Sequence, residues 1–393
     1  MDPFRIETDV TVSPAGLQRI RQGHLWVYSS DVSRDLERPG APIVRILDPH
    51  HKTVAYAFHS PSSQIRLRLL TRGDEAPTAE LFRRRVADAI ARRLPAGDRG
   101  ARRLVFGEAD LLPSIVVDRY ADFLVVQTLS SGAEALKPLL VDVLRDLVQP
   151  LAGIVERNDV RARLLEGLQQ RKEILWGAVP DDSIEIEEAG VVFLVDIRGG
   201  QKTGFFLDQS ENRVVSASYV TGKALDCFTN TGAFALHFAA RCESVLAADV
   251  SRESLEQARR NAARNGRTNV EFREANAFDL LHDLDRAQER FDGVCLDPPA
   301  FAKNRMALRG ARAGYKEINL RAMKILKPDG VLITSSCSYH LSEGDFLELL
   351  VQAARDAHRY VQIVERRSQA HDHPVLSSMP ETHYLKCFIL RVL

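Results

Sequence analysis

The chain has no CxxC pair. Its five cysteines (Cys227, Cys242, Cys295, Cys337 and Cys387) are scattered along 393 residues, a spacing that suggests neither a zinc site nor a disulfide framework. No metal is expected. An excess of either charge is also lacking, because 53 Lys+Arg balance 53 Asp+Glu. Any nucleic-acid surface must therefore come from local charge distribution. No apolar run approaches a membrane span, and the opening MDPFRIETDV holds no signal core. The expectation is a cytoplasmic protein in a reducing compartment, with no membrane partner. Also missing is the G-x-G-x-x-G that a dinucleotide needs to rest its pyrophosphate on a helix start. The turn DCFTNTGAF (Asp226–Phe234) keeps only Gly232. An NAD oxidoreductase therefore ranks last among the readings.

What is present is organised around FDGVCLDPPAF (Phe291–Phe301). Val294, Cys295 and Leu296 read as a buried parallel strand, apolar on both faces because helices cover both. Pro298 and Pro299 cannot donate ladder hydrogen bonds, so the strand stops and its carboxyl end opens into a loop. Ligands of open α/β sheets sit at that end. Asp297 is thereby placed at a crevice mouth, with Phe301 near enough to offer a flat stacking surface.

At 393 residues, 45% hydrophobic and 27% charged, the chain has room for several ordinary globular domains. Residues 1–75 read as a small β-barrel, with strands at Ile43–Leu47, Thr53–Phe58 and Ile65–Leu70. Near its start LQRIRQGHLWVYSSDV offers an RNA-contacting turn: Arg19 and Arg21 bring charge, and Gly23 lets backbone approach a phosphate. The same stretch also reads as a core strand anchored by Trp26. Residues 76–183 read as an α+β unit opened by an arginine-heavy helix over Pro77–Leu94 with Thr78 as its cap. A charge run of that kind is usually a solvated face. Residues 184–393 read as α/β. GGQKTGFFLDQSENR places Lys202, Gln209 and Arg213 beside two phenylalanines, where they have the chemistry to hold a small carboxylate-bearing ligand. Strands and helices then alternate, building a mostly parallel sheet with an added terminal strand pair.

Asp226 ends the first strand of this alternation and Asp249 the second. A carboxylate about twenty residues past the first turn accepts ribose hydroxyls. With no diphosphate cradle, a nucleoside without phosphates fits better than NAD. S-adenosylmethionine is such a ligand, its amino group suited to Asp226 and its diol to Asp249.

These residues resemble the class I S-adenosylmethionine-dependent methyltransferases. The opening basic turn resembles a PUA domain, a small β-barrel found in RNA-modifying proteins. More narrowly, GHLWV, GEADLLP, VDRY, KTGFFLDQSENR, CFTNTGAF, DPPAFAKN and SSCS together resemble the PUA-containing family of large-subunit ribosomal RNA cytosine-5 methyltransferases. The likeness runs nearly end to end. It implies a Rossmann-like methyltransferase domain preceded by the α+β domain and a PUA-like barrel. It implies cofactor contacts at Gln209, Arg213, Asp226, Phe228, Thr229, Asn230, Gly232, Asp249, Asn276, Ala277 and Asp297. Two positions depart from the family pattern. Ala233 stands where a second glycine is usual, and Asn276 where an acid often meets the adenine amino group. Ribosomal RNA is the implied partner, with Lys303 and Arg305 just past DPPAF suited to its backbone, and a homodimer is a possible assembly.

Cys337 in SSCSYH carries the chemistry this family implies. A thiolate adding to C6 of cytosine makes C5 nucleophilic, and Asp297 across the crevice would hydrogen-bond or protonate N3. Two other readings stand beside it. One keeps the cofactor but methylates an exocyclic nitrogen of adenine or guanine, needing no cysteine. The other is an RNA-binding protein with a vestigial methyltransferase fold. The remaining four cysteines read as packing residues.

Overall fold

The three barrel strands marked in the sequence form the middle of a six-stranded sheet, as Ile43–Leu47, Thr53–His59 and Ile65–Arg72. Trp26–Tyr28 pairs with the last of these, and Asp9–Val12 runs parallel to the first. Val10, Val27, Val44, Ile46, Ala55 and Leu67 fill its core. The computed structural model describes residues 3–6, 8–35, 42–93, 99–200, 202–302 and 306–393. It divides into two compact units: Met1–Ile186 with Val195–Leu207 and His371–Thr382, and Glu187–Leu194 with Asp208–Ala370 and His383–Leu393. No helix among the described residues is long and apolar enough to cross a membrane.

Within the first unit the helix Ala79–Ala91 starts at Thr78, whose hydroxyl accepts from Leu81 N at 3.1 Å. Much of the nearby arginine run is committed to partners in its own unit. Arg83 meets Asp146, Arg93 binds both oxygens of Asp110, and Arg103 binds both oxygens of Asp118. The run is thus in good part a structural feature. Five strands follow in the order Lys172–Gly177, Gly153–Arg157, Phe123–Thr128, Ile115–Tyr120, Ala101–Phe106. The helix expected to be polar around Arg161–Gln169 is shorter, Arg161–Leu165, and its Arg163 is fully buried against Glu134 and the Thr128 carbonyl. The segment His371–Thr382 is anchored to the barrel. Met379 is buried with Val27, Leu25 N bonds its sulfur at 3.2 Å, and His24 lies 3.3 Å from Glu381.

The second unit carries the alternation. In chain order it comprises β1 (Gly222–Cys227), α1 (Ala233–Ala239), β2 (Cys242–Asp249), α2 (Arg252–Arg264), β3 (Val270–Glu274), α3 (Ala277–Arg286), β4 (Phe291–Leu296), α4 (Leu308–Ile325), β5 (Leu326–Ser336), α5 (Glu343–Asp356), β6 (Val361–Arg367) and β7 (Lys386–Val392). The sheet order is β3-β2-β1-β4-β5-β7-β6. The first five strands are mutually parallel, and β7 is antiparallel to both β5 and β6. This is the expected mostly parallel sheet with an antiparallel terminal pair. α2 opens on Ser251, which caps Ser254 N at 3.1 Å. Lys327–Gly330, expected to be a turn, is drawn into β5. Phe291 pairs with Leu326 across a register shift, and Lys327 Nζ reaches both oxygens of Asp292.

A hairpin strand (Val191–Val195) lies against α2 through amide side chains. Asn265 accepts from Val192 N at 2.8 Å, Asn261 from Leu194 N at 2.9 Å, and Gln257 donates to Leu194 O at 2.9 Å. These residues recur every four positions, one face of a helix. The amides satisfy backbone groups that a sheet edge would leave unpaired.

Candidate active site

β4 and β5 are parallel neighbours, with Leu296 opposite Thr334. That register sets Asp297 level with Ser335, and the loops beyond the two strands approach one another. Cys337 Sγ approaches the Pro298 carbonyl at 4.0 Å. Cys337 is half-buried, whereas the other four cysteines are buried. Burial pushes the Cys242 thiol up to about 11 and the Cys387 thiol up to about 12. Cys227 and Cys295 are raised further, for the same reason. Those four are packing residues in character; Cys337 is not among them.

Asp297 is half-buried and accepts from Gln209 Nε2 at 2.8 Å. Gln209 is itself buried, with its oxygen held by Asn212 Nδ2 at 2.6 Å. The two loops at the crevice are tied together at Ser338, whose hydroxyl accepts from Ala302 N at 3.2 Å and meets the Tyr315 hydroxyl at 3.0 Å. Lys386 Nζ donates to the Ser338 carbonyl at 2.7 Å. Phe301 packs against Tyr315 at 4.7 Å between ring centroids, with Phe278 at 5.9 Å and Phe228 at 6.4 Å. It is part of an aromatic cluster at the edge of the core.

The β1–α1 turn carries three residues of positive φ: Phe228 at +65°, Asn230 at +50° and Gly232 at +85°. Two of these are not glycine, a cost of about 1–3 kcal/mol each that persists where surrounding structure enforces it. At Gly232 a Cβ would come within 3.2 Å of Ala258 Cβ, so glycine serves both the conformation and the approach of α2. Asp226 is buried below this turn, and its Oδ2 accepts from Thr229 Oγ1 at 2.6 Å and Ala235 N at 3.0 Å. Its Oδ1 has no N–H or O–H partner among the described residues. Burial raises this carboxyl to about 7. Asp249 is half-buried, one oxygen accepting Asn230 N and the other Ser251 N, both at 2.9 Å. A carboxylate has about four acceptor sites, so both oxygens keep capacity for a ligand diol. Asn276 is exposed and caps α3 by accepting from Phe278 N at 2.9 Å, and Ala277 is buried behind it.

Three expected contacts are corrected. Arg213 is buried at 1% exposure and binds both Glu188 oxygens at 2.6 Å, so its guanidinium faces this carboxylate instead of an open ligand site. His237 Nε2 reaches Glu188 as well, at 3.0 Å. Gly23 is buried, its positive φ of +95° shaping a turn that Ser378 covers and whose carbonyl Arg72 binds. Arg19 is drawn to Asp31 at 3.0 Å and lies over Tyr28. Arg21 is exposed; Lys303 and Arg305 lie outside the described residues. Ser338, Tyr315, Lys386 and Glu188 were missed, and they share a reason. Each reaches its partner across strands or loops far apart in sequence, and only SSCS gave a local hint, at Ser338.

The orphaned Asp226 oxygen, the strained glycine turn and the Asp249 acceptors fit a nucleoside with a cationic group and a diol. Comparisons agree with that geometry. A PUA-like domain family matches residues 10–72, and a methyltransferase domain family matches residues 220–378. The ribosomal RNA large subunit methyltransferase I of Tolumonas auensis is 42% identical over 381 residues, 94% of this chain and 96% of that protein. The Shewanella denitrificans protein of the same name is 40% identical over 98% of this chain and 99% of its own. A SAM-dependent methyltransferase structure from Streptococcus mutans superposes with TM-score 0.83 at 18% identity, over 98% of this chain and 100% of that one. Another methyltransferase structure, in complex with S-adenosylhomocysteine, reaches 0.85 at 18%, covering 98% of this chain and 100% of that one. At such identity these two structures establish the fold. The end-to-end identity to the curated proteins establishes more: this chain belongs to the PUA-containing family of large-subunit ribosomal RNA methyltransferases.

Proposed function

We propose that this large-subunit ribosomal RNA methyltransferase acts at C5 of a cytosine, with Cys337 as nucleophile and S-adenosylmethionine as methyl donor. The observation that carries the reading is the half-buried Cys337 thiol, 4.0 Å from the carbonyl that follows Asp297. Cytosine C5 is a poor nucleophile. Cys337 thiolate forms a bond to C6, and the C5–C6 π pair becomes available at C5 as an enamine. Asp297 hydrogen-bonds to or protonates N3, which favours attack at C6. S-adenosylmethionine supplies an electrophilic methyl group to C5. Loss of the C5 proton to a base returns the electron pair to the C5–C6 bond and expels the thiolate.

Asp226 meets the ligand's amino group with its orphaned oxygen, Asp249 the diol, and the Asn276–Ala277 corner the adenine edge. The Phe228–Gly232 turn shapes the cradle. Gln209 orients Asp297, and Arg213 supports the helix that carries Gln209 and Asn212. In the barrel the exposed Arg21 is an available RNA contact; Lys303 and Arg305, just past DPPAF in sequence, have the charge to serve the RNA backbone. Residues 1–75 form the RNA grip, 76–183 the central domain, and 184–393 the methyltransferase.

The test is base-resolved. Unmodified ribosomal RNA is incubated with methyl-labelled S-adenosylmethionine, digested, and the labelled nucleoside identified by mass spectrometry. 5-Methylcytidine supports the reading, whereas a labelled N-methylpurine overturns it while leaving the fold and cofactor in place.

Asp226 makes the cofactor step pH-dependent. Burial raises its carboxyl to about 7, so it is increasingly protonated below that pH and loses its charge attraction for a ligand ammonium. In the unfolded chain the group titrates near the ordinary carboxylate value of 3.8. Its preference for the protonated form therefore favours folding below that value and fades as pH rises towards about 7. Cofactor affinity should run the other way, weakening by up to about tenfold per unit as pH falls below 7. Calorimetric titration at successive pH values measures this. A dissociation constant that stays flat through neutrality would remove Asp226 as the charged partner.

A further inference from the structure

Lys386 opens β7 directly opposite Ser336, one residue before Cys337. It is 3% exposed, and its Nζ donates to Ser338 O at 2.7 Å and Tyr384 O at 2.9 Å. The side chain therefore brackets Cys337, paired through its strand with the preceding residue and bonded to the following one. Among the described residues no carboxylate lies within ion-pair distance of this ammonium. Buried charges are ordinarily paired, because leaving water costs several kcal/mol per ion. Two neutral carbonyls do not supply a counter-charge. Burial lowers the ammonium to about 8, with the charges of Cys337 and Glu343 opposing that fall. The titratable groups at this corner are Cys337 itself, Glu343 at the start of α5, and Tyr315 from α4, whose hydroxyl meets Ser338.

We infer that Lys386 is a positioning residue for the nucleophile: its buried ammonium is the counter-charge of the Cys337 thiolate and keeps that sulfur ionised near neutral pH. The proton leaves Sγ for water, and Nζ keeps its three protons. No further reactant is needed. The cation bonds the main-chain carbonyl of the residue after Cys337, which fixes the charge beside the turn that carries the sulfur. The inference deepens the C5 reading and rests on Cys337 as its nucleophile.

The experiment follows the rate at which iodoacetamide alkylates Cys337 as a function of pH, in the full-length protein, by mass spectrometry of the Cys337 peptide. Cys337→Ser supplies the blank. In the wild type the rate should titrate below the ordinary thiol value of about 8.5. Lys386→Met should raise the midpoint by about a unit and slow alkylation at neutral pH about tenfold. Lys386→Arg, which keeps the charge, should keep the low midpoint. A purely structural lysine would weaken folding in the Met variant without moving the midpoint, and an unmoved midpoint overturns the inference. Should Lys386→Met fail to fold, the wild-type titration decides by itself: a midpoint at or above the ordinary value overturns it. The assay uses no RNA, so its failure is separable from failure of the C5 reading. A low midpoint with no 5-methylcytidine formed sinks the C5 reading and leaves the thiolate pair. 5-Methylcytidine with an ordinary midpoint sinks only Lys386.

Discussion

Cys337→Ala is expected to lower the rate of methyl transfer to RNA by at least about four orders of magnitude, the scale seen when a covalent nucleophile is removed. Cofactor affinity should stay within about twofold, because Asp226, Asp249 and the Phe228–Gly232 turn lie on other strands. So large an effect follows from the proposed C5 chemistry, in which the thiol does more than hold the substrate. Without a bond to C6 there is no enamine, and C5 has no electron pair to offer. Single-turnover transfer from labelled S-adenosylmethionine, with cofactor binding measured on the same preparation, separates the two quantities. An alanine variant with a few per cent of wild-type activity would place the reaction at a nitrogen instead, where a lone pair needs no covalent help. Cys337 also lies in a turn held by Ser338, Tyr315 and Lys386, so the small substitution should leave the turn intact.

Glu188→Ala is the second large effect, and it falls on stability. Glu188 is the shared partner of Arg213 and His237. Burial alone would raise its carboxyl, but the Arg213 charge and hydrogen bonds from both partners hold it down to about 2. Removing it strands the Arg213 guanidinium, which is 1% exposed, without its counter-charge. Breaking a buried pair in this way costs about 3–5 kcal/mol. For a unit of this size that is a fall in Tm of about 10 °C. The linkage has a definite sign. The folded carboxyl lies below the ordinary carboxylate value of 4.5, so its contribution is fully present above that pH. It is lost as pH falls from 4.5 towards about 2. Wild type should therefore lose stability across that window more steeply than Glu188→Ala. Urea unfolding at neutral and acid pH measures both. A variant melting within about 2 °C of wild type at neutral pH would return Arg213 to the list of residues open to a ligand.

Much of the fold was legible because it is written in short-range chemistry. Thr78 and Ser251 cap their helices as the sequence predicts, since a cap needs only a hydroxyl and the three residues after it. The DPP turn ends β4 at Leu296 because prolines cannot extend a ladder. That β4 and β5 are parallel neighbours was legible, and neighbouring parallel strands end on the same side of the sheet. Arg213 was misread for the opposite reason. Its neighbour in sequence, Gln209, reaches Asp297, and nothing local marks Glu188, twenty-five positions earlier, as its partner. Gly23 was misread because the segment that covers it, around Ser378, lies at the other end of the chain.

The sequence by itself determined the alternation of elements, the strand-end acids, the one cysteine set in a polar turn and the absence of a diphosphate cradle. Each follows from residue type and spacing over a few positions. Only the tertiary structure decided which charges are spent inside the protein and which stay available. Arg163, Arg213 and much of the arginine run are consumed by buried or internal carboxylates. Lys386 emerges as a buried cation bonded to the Ser338 carbonyl, with no carboxylate partner among the described residues. A charge's role depends on what lies within about 4 Å of it and on how much water is left there, and strands far apart in sequence set both.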